Sequence, residues 1–260
     1  MVKPVLYHWE PLANPGKIMF LFAEKGVAYT GHYVDLVGGE QHTPEYLALN
    51  PRGTIPVLVH GDNILTESTP MMEYIDSVFE GPCFTPSDHL ECWRMRWWMR
   101  FFDSYLAPAV SMPAWKRFIS PSAAGRAPDD IKAALARIPD EQRRASWRKA
   151  MYDEFTDDEL AESQRRFEYG LRVLEERLAV TPWVAGTSYS LADINGFTMG
   201  YAFPLTQPDH CNVAQTPRIM DWLQRIYTRP AIIETFKTGR TELTQRAAVM
   251  IANFTGVGAR

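Results

Sequence analysis

NPRGTIPVLVHGDNILTES, residues 50–68, is the stretch on which the fold turns. Val57-Leu58-Val59 reads as a strand, Gly61-Asp62-Asn63 as a hairpin turn, and Ile64-Leu65 as the returning strand. Proline forfeits a ladder hydrogen bond, so Pro56 belongs at a strand start or edge. An X–Pro bond also adopts cis at modest cost, usually in a tight turn. A cis Ile55–Pro56 bond would turn the N–H and C=O of Ile55 outward, toward the amide of a ligand. Ser68 then opens a helix, and helix N-termini favour a carboxylate. Glu67 beside it suits an ammonium. A molecule with an amide, a carboxylate and an ammonium is an amino-acid-like peptide.

Working outward, the first eighty residues alternate between strand and helix. Strands are expected at Val5 to His8 and Tyr29 to Leu36, and helices at Gly16 to Lys25, Pro44 to Leu49 and Ser68 to about Val78. With the hairpin, the order is β-α-β-α-β-β-α, a mixed α/β unit over residues 1–80. Gly81, Pro82 and Pro86 mark a linker. From 88 to 260 the pattern is all-α. A long aromatic helix runs from His89 to about Phe118, and an amphipathic one from Asp157 to Leu178. Ser190 and Asp193 have capping-box spacing, with Tyr189 placed to staple against Ile194. Helices follow at Arg218 to Tyr227 and Pro230 to Phe236, and the tail after Arg240 reads as a helix on the surface. Residues 119–156 are polar, Arg-rich and Pro-punctuated, and read as an insertion or lid. Within it, Arg143-Arg144 and Arg148-Lys149 read as a solvated face.

The 260 residues carry 46% hydrophobic and 22% charged side chains, ordinary for a globular protein with a full core. With 27 Lys+Arg against 31 Asp+Glu, the net charge of -4 argues against nucleic acid or an anionic membrane as the main partner. No apolar run is long enough to span a bilayer, and the first sixteen residues hold no signal-peptide core. Cys83, Cys92 and Cys211 are odd in number and lack metal-ligand spacing, as do the histidines, so no metal is expected and a reducing cytoplasm is the expected setting.

The arrangement resembles the glutathione S-transferase family from Val5 to about Phe236. The 50–68 stretch is similar to that family's glutathione-binding core, and Ser190-Leu191-Ala192-Asp193-Ile194 to its capping signature in the helical domain. The fold implied is a thioredoxin-like N-terminal domain followed by an all-α domain. A closer resemblance is to the bacterial β-aryl etherases, glutathione-dependent enzymes that cleave lignin-derived dimers. It is carried by Glu40-Gln41-His42, Thr66-Glu67-Ser68-Thr69, and Ile138-Pro139-Asp140-Glu141-Gln142 leading to Trp147-Arg148. Glutathione is then the implied co-substrate and an aromatic aryl ether the substrate. The molecule is expected to be a homodimer, or a heterodimer with a related subunit, joined through the first two long helices.

The resemblance assigns roles to particular residues. The thiol-facing position lies in the loop Glu10 to Gly16, where Asn14 can donate to sulfur or can simply cap the helix. Tyr7 and His8 are weaker candidates, and Pro15 offers no N–H. His42, helped by Gln41, corresponds to the partner of the glycyl carboxylate, and the Ile55 backbone beside Pro56 to that of the cysteinyl amide. Glu67 and Ser68 take the γ-glutamyl end, roles compatible with capping the helix. Asp103 resembles an acid that reaches a second subunit's glutathione; a solvated face is the alternative. Trp93, Trp97, Phe101 and Tyr105 recur every four residues on one helix face. Most of this aromatic mass is expected in the core or at a subunit contact, with Tyr105, Met112 and Trp115 facing substrate. The function implied is displacement of a phenolate by glutathione thiolate. The alternatives are a general transferase or disulfide-bond reductase, and a non-catalytic subunit of a heterodimer.

Overall fold

The computed structural model describes residues 2–123 and 125–255. Its first part is a four-stranded sheet with β1 (Val5–His8), β2 (Thr30–Tyr33), β3 (Val57–His60) and β4 (Asn63–Leu65) in the order β2-β1-β3-β4. β1 runs parallel to β2, with Leu6 opposite Gly31, and antiparallel to β3, with Tyr7 opposite Val57. β3 and β4 form the hairpin predicted around Gly61, with Leu58 opposite Leu65. The helices are α1 (Ala13–Lys25), α2 (Pro44–Leu49) and α3 (Ser68–Val78), with a three-ten turn at Glu40–His42 before α2. β2 is shorter than expected, because Val34 to Leu36 leave the ladder for the loop that feeds that turn.

α1 is apolar nearly all round, and this is what joins the sheet to the helices. Ile18, Phe20, Leu21 and Phe22 are all fully buried. Phe20 meets Phe197 at 5.6 Å between ring centroids and Phe236 at 5.2 Å, so a helix of the first part is core for the second. Each such side chain contributes about 1.5–3 kcal/mol by leaving water. The linker is pinned by a buried ion pair. Lys25 Nζ lies 3.3 Å from Asp76 Oδ1 and donates to Pro82 O at 2.8 Å, while Asp76 accepts from the Phe84 and Thr85 N–H groups.

The second part is helical: α4 (His89–Phe101), a π-helical segment Phe102–Leu106, α5 (Ala107–Ala123), α6 (Pro128–Ala136), α7 (Glu141–Tyr152), α8 (Asp157–Leu178), α9 (Leu191–Gly200), α10 (Phe203–Thr206), α11 (Pro217–Tyr227), α12 (Pro230–Phe236) and α13 (Glu242–Thr255). The Ser190–Asp193 spacing does the capping predicted of it. Asp193 Oδ2 accepts from the Ser190 N–H and hydroxyl, both at 2.9 Å, and Oδ1 accepts from Val184 N–H at 3.1 Å and Trp222 Nε1 at 2.9 Å. Tyr189 packs on Phe84 and Trp183.

Residues 119–156, expected to be a polar insertion or lid, have a small apolar centre of their own. They form the end of α5 with α6 and α7, closed over a small core of Ala123, Ile131, Leu135, Ile138 and Trp147, with Trp115 packed against it. Arg143 is not part of a solvated face either: its Nε is buried. Arg144 donates to the Ile138 and Pro139 carbonyls, which leaves Arg148, paired with Glu154, to behave as predicted. The three cysteines are free. Among the described residues no helix is long and apolar enough to cross a membrane, and no His, Cys, Asp or Glu cluster could hold a metal.

Candidate functional site

The Ile55–Pro56 bond is cis. Ile55 lies outside the β-ladder, and its N–H and C=O have no backbone partner among the turn and loop bonds. The edge is held from behind, since Thr54 O accepts from both Tyr46 Oη and Asn50 Nδ2 at 2.8 Å. Gly53 has φ +60°, and a Cβ there would lie 2.7 Å from His42 Cδ2, so only glycine lets the His42 ring close against this edge.

At the other end of the edge, Glu67 is the N-cap of α3 with φ +66° and ψ 103°, a conformation a non-glycine residue holds only when its surroundings impose it. Glu67 Oε1 accepts from Arg52 Nη1 at 2.7 Å in an exposed pair. Ser68 is the first helical residue and does not cap; its Oγ lies 3.4 Å from Lys17 Nζ. Neither side chain caps α3, so its first-turn N–H groups have no side-chain cap.

α1 begins with equal economy. Its N-cap is Leu12, which has no capping atom, and Ala13 follows at φ +50°. Asn14 is exposed, its side chain has no partner among the described residues, and no side chain caps α1, so the capping alternative does not hold. Pro15 sits in the first turn, where a missing N–H costs nothing, and the free donors are the Ala13 and Asn14 amides. Tyr7 stacks on His32 at 4.8 Å, and His8 Nδ1 bonds Trp9 O, so both earlier residues are engaged on the sheet.

Glu10 and Lys17 hold this loop, and sequence reasoning singled out neither. Glu10 is buried; Oε1 accepts from Tyr33 Oη at 2.8 Å, and Oε2 accepts from Arg240 N–H at 2.9 Å and Thr244 Oγ1 at 2.6 Å. Burial pushes its carboxyl up, but these bonds outweigh it and the net shift is downward. Lys17 is buried with its Nζ 2.6 Å from Asp103 Oδ1. Burial lowers its pKa and Asp103 opposes that shift. A lone cation directly ahead of the apolar run Ile18 to Phe22 was the available signal. Asp103 Oδ2 accepts from Thr69 Oγ1, which also accepts from Asn195 Nδ2 at 3.4 Å. Asp103, in the π-helical segment, therefore ties the helical part to α1 and α3 of its own chain, where a solvated face was the alternative.

The predicted substrate residues do not converge. Tyr105 stacks on Phe101 at 5.2 Å, beneath the Arg166 guanidinium at 4.8 Å. Met112 and Arg166 line an open groove of about 320 Å³ between α5 and α8. Trp115 instead packs on Trp147 at 5.1 Å. His42 and Gln41 are buried in the three-ten turn, and burial, then Arg143 and Arg137, push the His42 ring down to about 4, so it is neutral at pH 7.

Two family models match the chain: the N-terminal domain of glutathione S-transferase over residues 14–78 and the C-terminal domain over 107–230. The chain is 33% identical over 256 residues to protein LigF of Sphingobium sp. strain SYK-6, covering 95% of this chain and 98% of that protein. It superposes on the crystal structure of the β-etherase LigF with a TM-score of 0.87 at 31% identity, covering 91% of this chain and all of the other. Glutathione S-transferase 3 of Zea mays is 29% identical over 235 residues, covering 89% of this chain and 93% of that protein.

Proposed function

The chain belongs to the glutathione S-transferase family, and from that membership we propose that it uses glutathione to cleave β-aryl ether bonds in lignin-derived aromatics. The observation that carries the etherase assignment is the likeness to the β-etherase LigF over nearly the whole chain. The free Ile55 amide groups, beside amides without a side-chain cap on two helices, support glutathione as the thiol.

In this reading the γ-glutamyl ammonium meets Glu67, whose Oε2 has no protein partner, and its carboxylate meets Ser68 and the first-turn amides of α3. Lys17, paired with Asp103, donates to Ser68 from behind. The cysteinyl amide pairs with Ile55, and the sulfur lies at the start of α1. A free thiol has a pKa near ~8.5, so thiolate is a minority at neutral pH without help. The Ala13 and Asn14 amides, the helix dipole and the Asn14 side chain supply donors that favour it. The thiolate attacks the β-carbon of an α-keto ether. A carbon–sulfur bond forms as the carbon–oxygen bond breaks, phenolate leaves with the electron pair, and the thiol proton goes to solvent. The protein contributes thiolate stabilisation and alignment. The substrate wall is assigned to Tyr105 and Met112, which share Arg166; Trp115 acts there only through the insertion it supports.

Trp93, Trp97 and Leu90 are exposed on α4, with Trp97 stacked on Phe101 at 5.3 Å. This row is the surface we assign to a second subunit, of this chain or a related one, and light scattering of the purified protein tests it. Incubation with glutathione and a fluorogenic α-keto aryl ether tests the activity. Glutathione-dependent phenol release is expected. No release from either enantiomer, with turnover of a chlorinated nitroarene instead, would leave a general transferase.

A further inference from the structure

The glycyl end of glutathione, in the pose above, runs toward the three-ten turn, where buried polar atoms are left without partners. Gln41 is 1% exposed, His42 5% and Trp147 6%, and Gln41 Oε1, His42 Nε2 and Trp147 Nε1 form no hydrogen bond. Leaving a buried polar atom unpaired is costly, so such atoms gathered in one place mark bonding completed from outside the chain. All three side chains line a crevice of about 20 Å³ between the loop Leu36 to His42 and the insertion, together with Arg126 and Arg137. That is room for a water or the edge of a carboxylate, not for a side chain.

A fourth unpaired atom comes from α7. Arg143, which is not itself in the crevice lining, gives its backbone N–H to the Asp140 cap, but its Nε is buried without a partner, and among the described residues its guanidinium is in no ion pair. It lies one turn before Trp147 on α7, on the side of the helix that meets the crevice, and its charge acts on His42 and on Tyr46, whose Oη bonds Thr54 O. Of Arg52, Arg126, Arg137 and Arg143, only Arg52 has an acidic partner among the described residues. A set of guanidinium groups with unpaired donors and no acid of their own calls for an anion.

Resting on glutathione as the ligand, we propose that Arg143 of the insertion joins His42 in holding the glycyl carboxylate, so that α7 selects the tripeptide over shorter thiols. Calorimetry on the full chain tests this with glutathione, its glycyl monoethyl ester and γ-glutamylcysteine. The unsubstituted protein is expected to bind glutathione about tenfold to a hundredfold more tightly than either analogue, the range of a charged hydrogen bond. Arg143→Ala should bind all three within about threefold of one another, and Arg143→Lys should recover part of the preference. Equal weakening of all three ligands by Arg143→Ala, or an ester bound by the unsubstituted protein as tightly as the acid, overturns the clamp. The second comparison decides the matter even if the variant does not fold. Binding without discrimination rejects the clamp alone; no heat with any of the three thiols rejects glutathione as the ligand as well.

Discussion

Asp193 and the Gln41–His42 turn bury polar groups to a similar depth and treat them in opposite ways. Asp193 is fully enclosed, and both oxygens are used: four donors from three segments of chain converge on it. Gln41 and His42 are nearly as enclosed, yet each keeps an atom with nothing to bond. The first centre is complete within the chain and serves the fold. The second keeps unpaired atoms, which the glycyl carboxylate proposed above would bond. Burial alone does not separate the two; the count of satisfied atoms does.

The comparison breaks first, if it breaks, at Asp193. Asp193→Ala strands the Trp222, Val184 and Ser190 donors and should cost about 3–5 kcal/mol in a denaturant titration, while the folded fraction keeps its glutathione affinity. A loss of affinity without loss of stability would reverse the assignment. Glu67→Gln should do the opposite. Its pair with Arg52 is exposed and worth less than about 1 kcal/mol to the fold, whereas losing the ammonium partner should weaken glutathione by about 2 kcal/mol, near 30-fold, in calorimetry. Glu10 lies between these extremes, being structural in its bonds but attached to the thiol-facing loop. Glu10→Gln should cost about 1–2 kcal/mol. Its folded pKa lies below the unfolded value, so its contribution is present above the unfolded pKa and is lost as pH falls through the folded one. Melting temperature followed from pH 7 down to 3 should therefore fall less steeply in the variant. The smallest effect sharpens the contrast most. Arg143→Met removes a buried, unpaired cation and should leave stability unchanged or raise it by up to about 1 kcal/mol.

The two centres also differ in how far they could be read in advance. The Ser190–Asp193 cap and the 50–68 edge are local: turn chemistry, proline and capping spacing act within a few residues, and the hairpin, the cis bond and the start of α3 all came out as expected. Arg143 was misjudged because its surroundings are set by residues far along the chain. A helix as polar as Glu141–Tyr152 looks solvated until Trp147 and Ile138 are seen to close over it. Trp115 packs against that same small core through Trp147, a contact that its own helix did not announce. Lys17 stands directly ahead of an apolar run and was passed over, although a cation there needs an anion across the interface, and Asp103 is that anion.

The Glu10 carboxylate fastens residues 240–244, at the entry to α13, to a loop more than two hundred positions earlier in the chain. Clipping the polypeptide ahead of Arg240 by limited proteolysis would remove none of the groups assigned to glutathione. It would still release the mooring of the Glu10–Gly16 segment, so thiolate acidity should fall off together with the severed tail, a long-range penalty for damage at the far end.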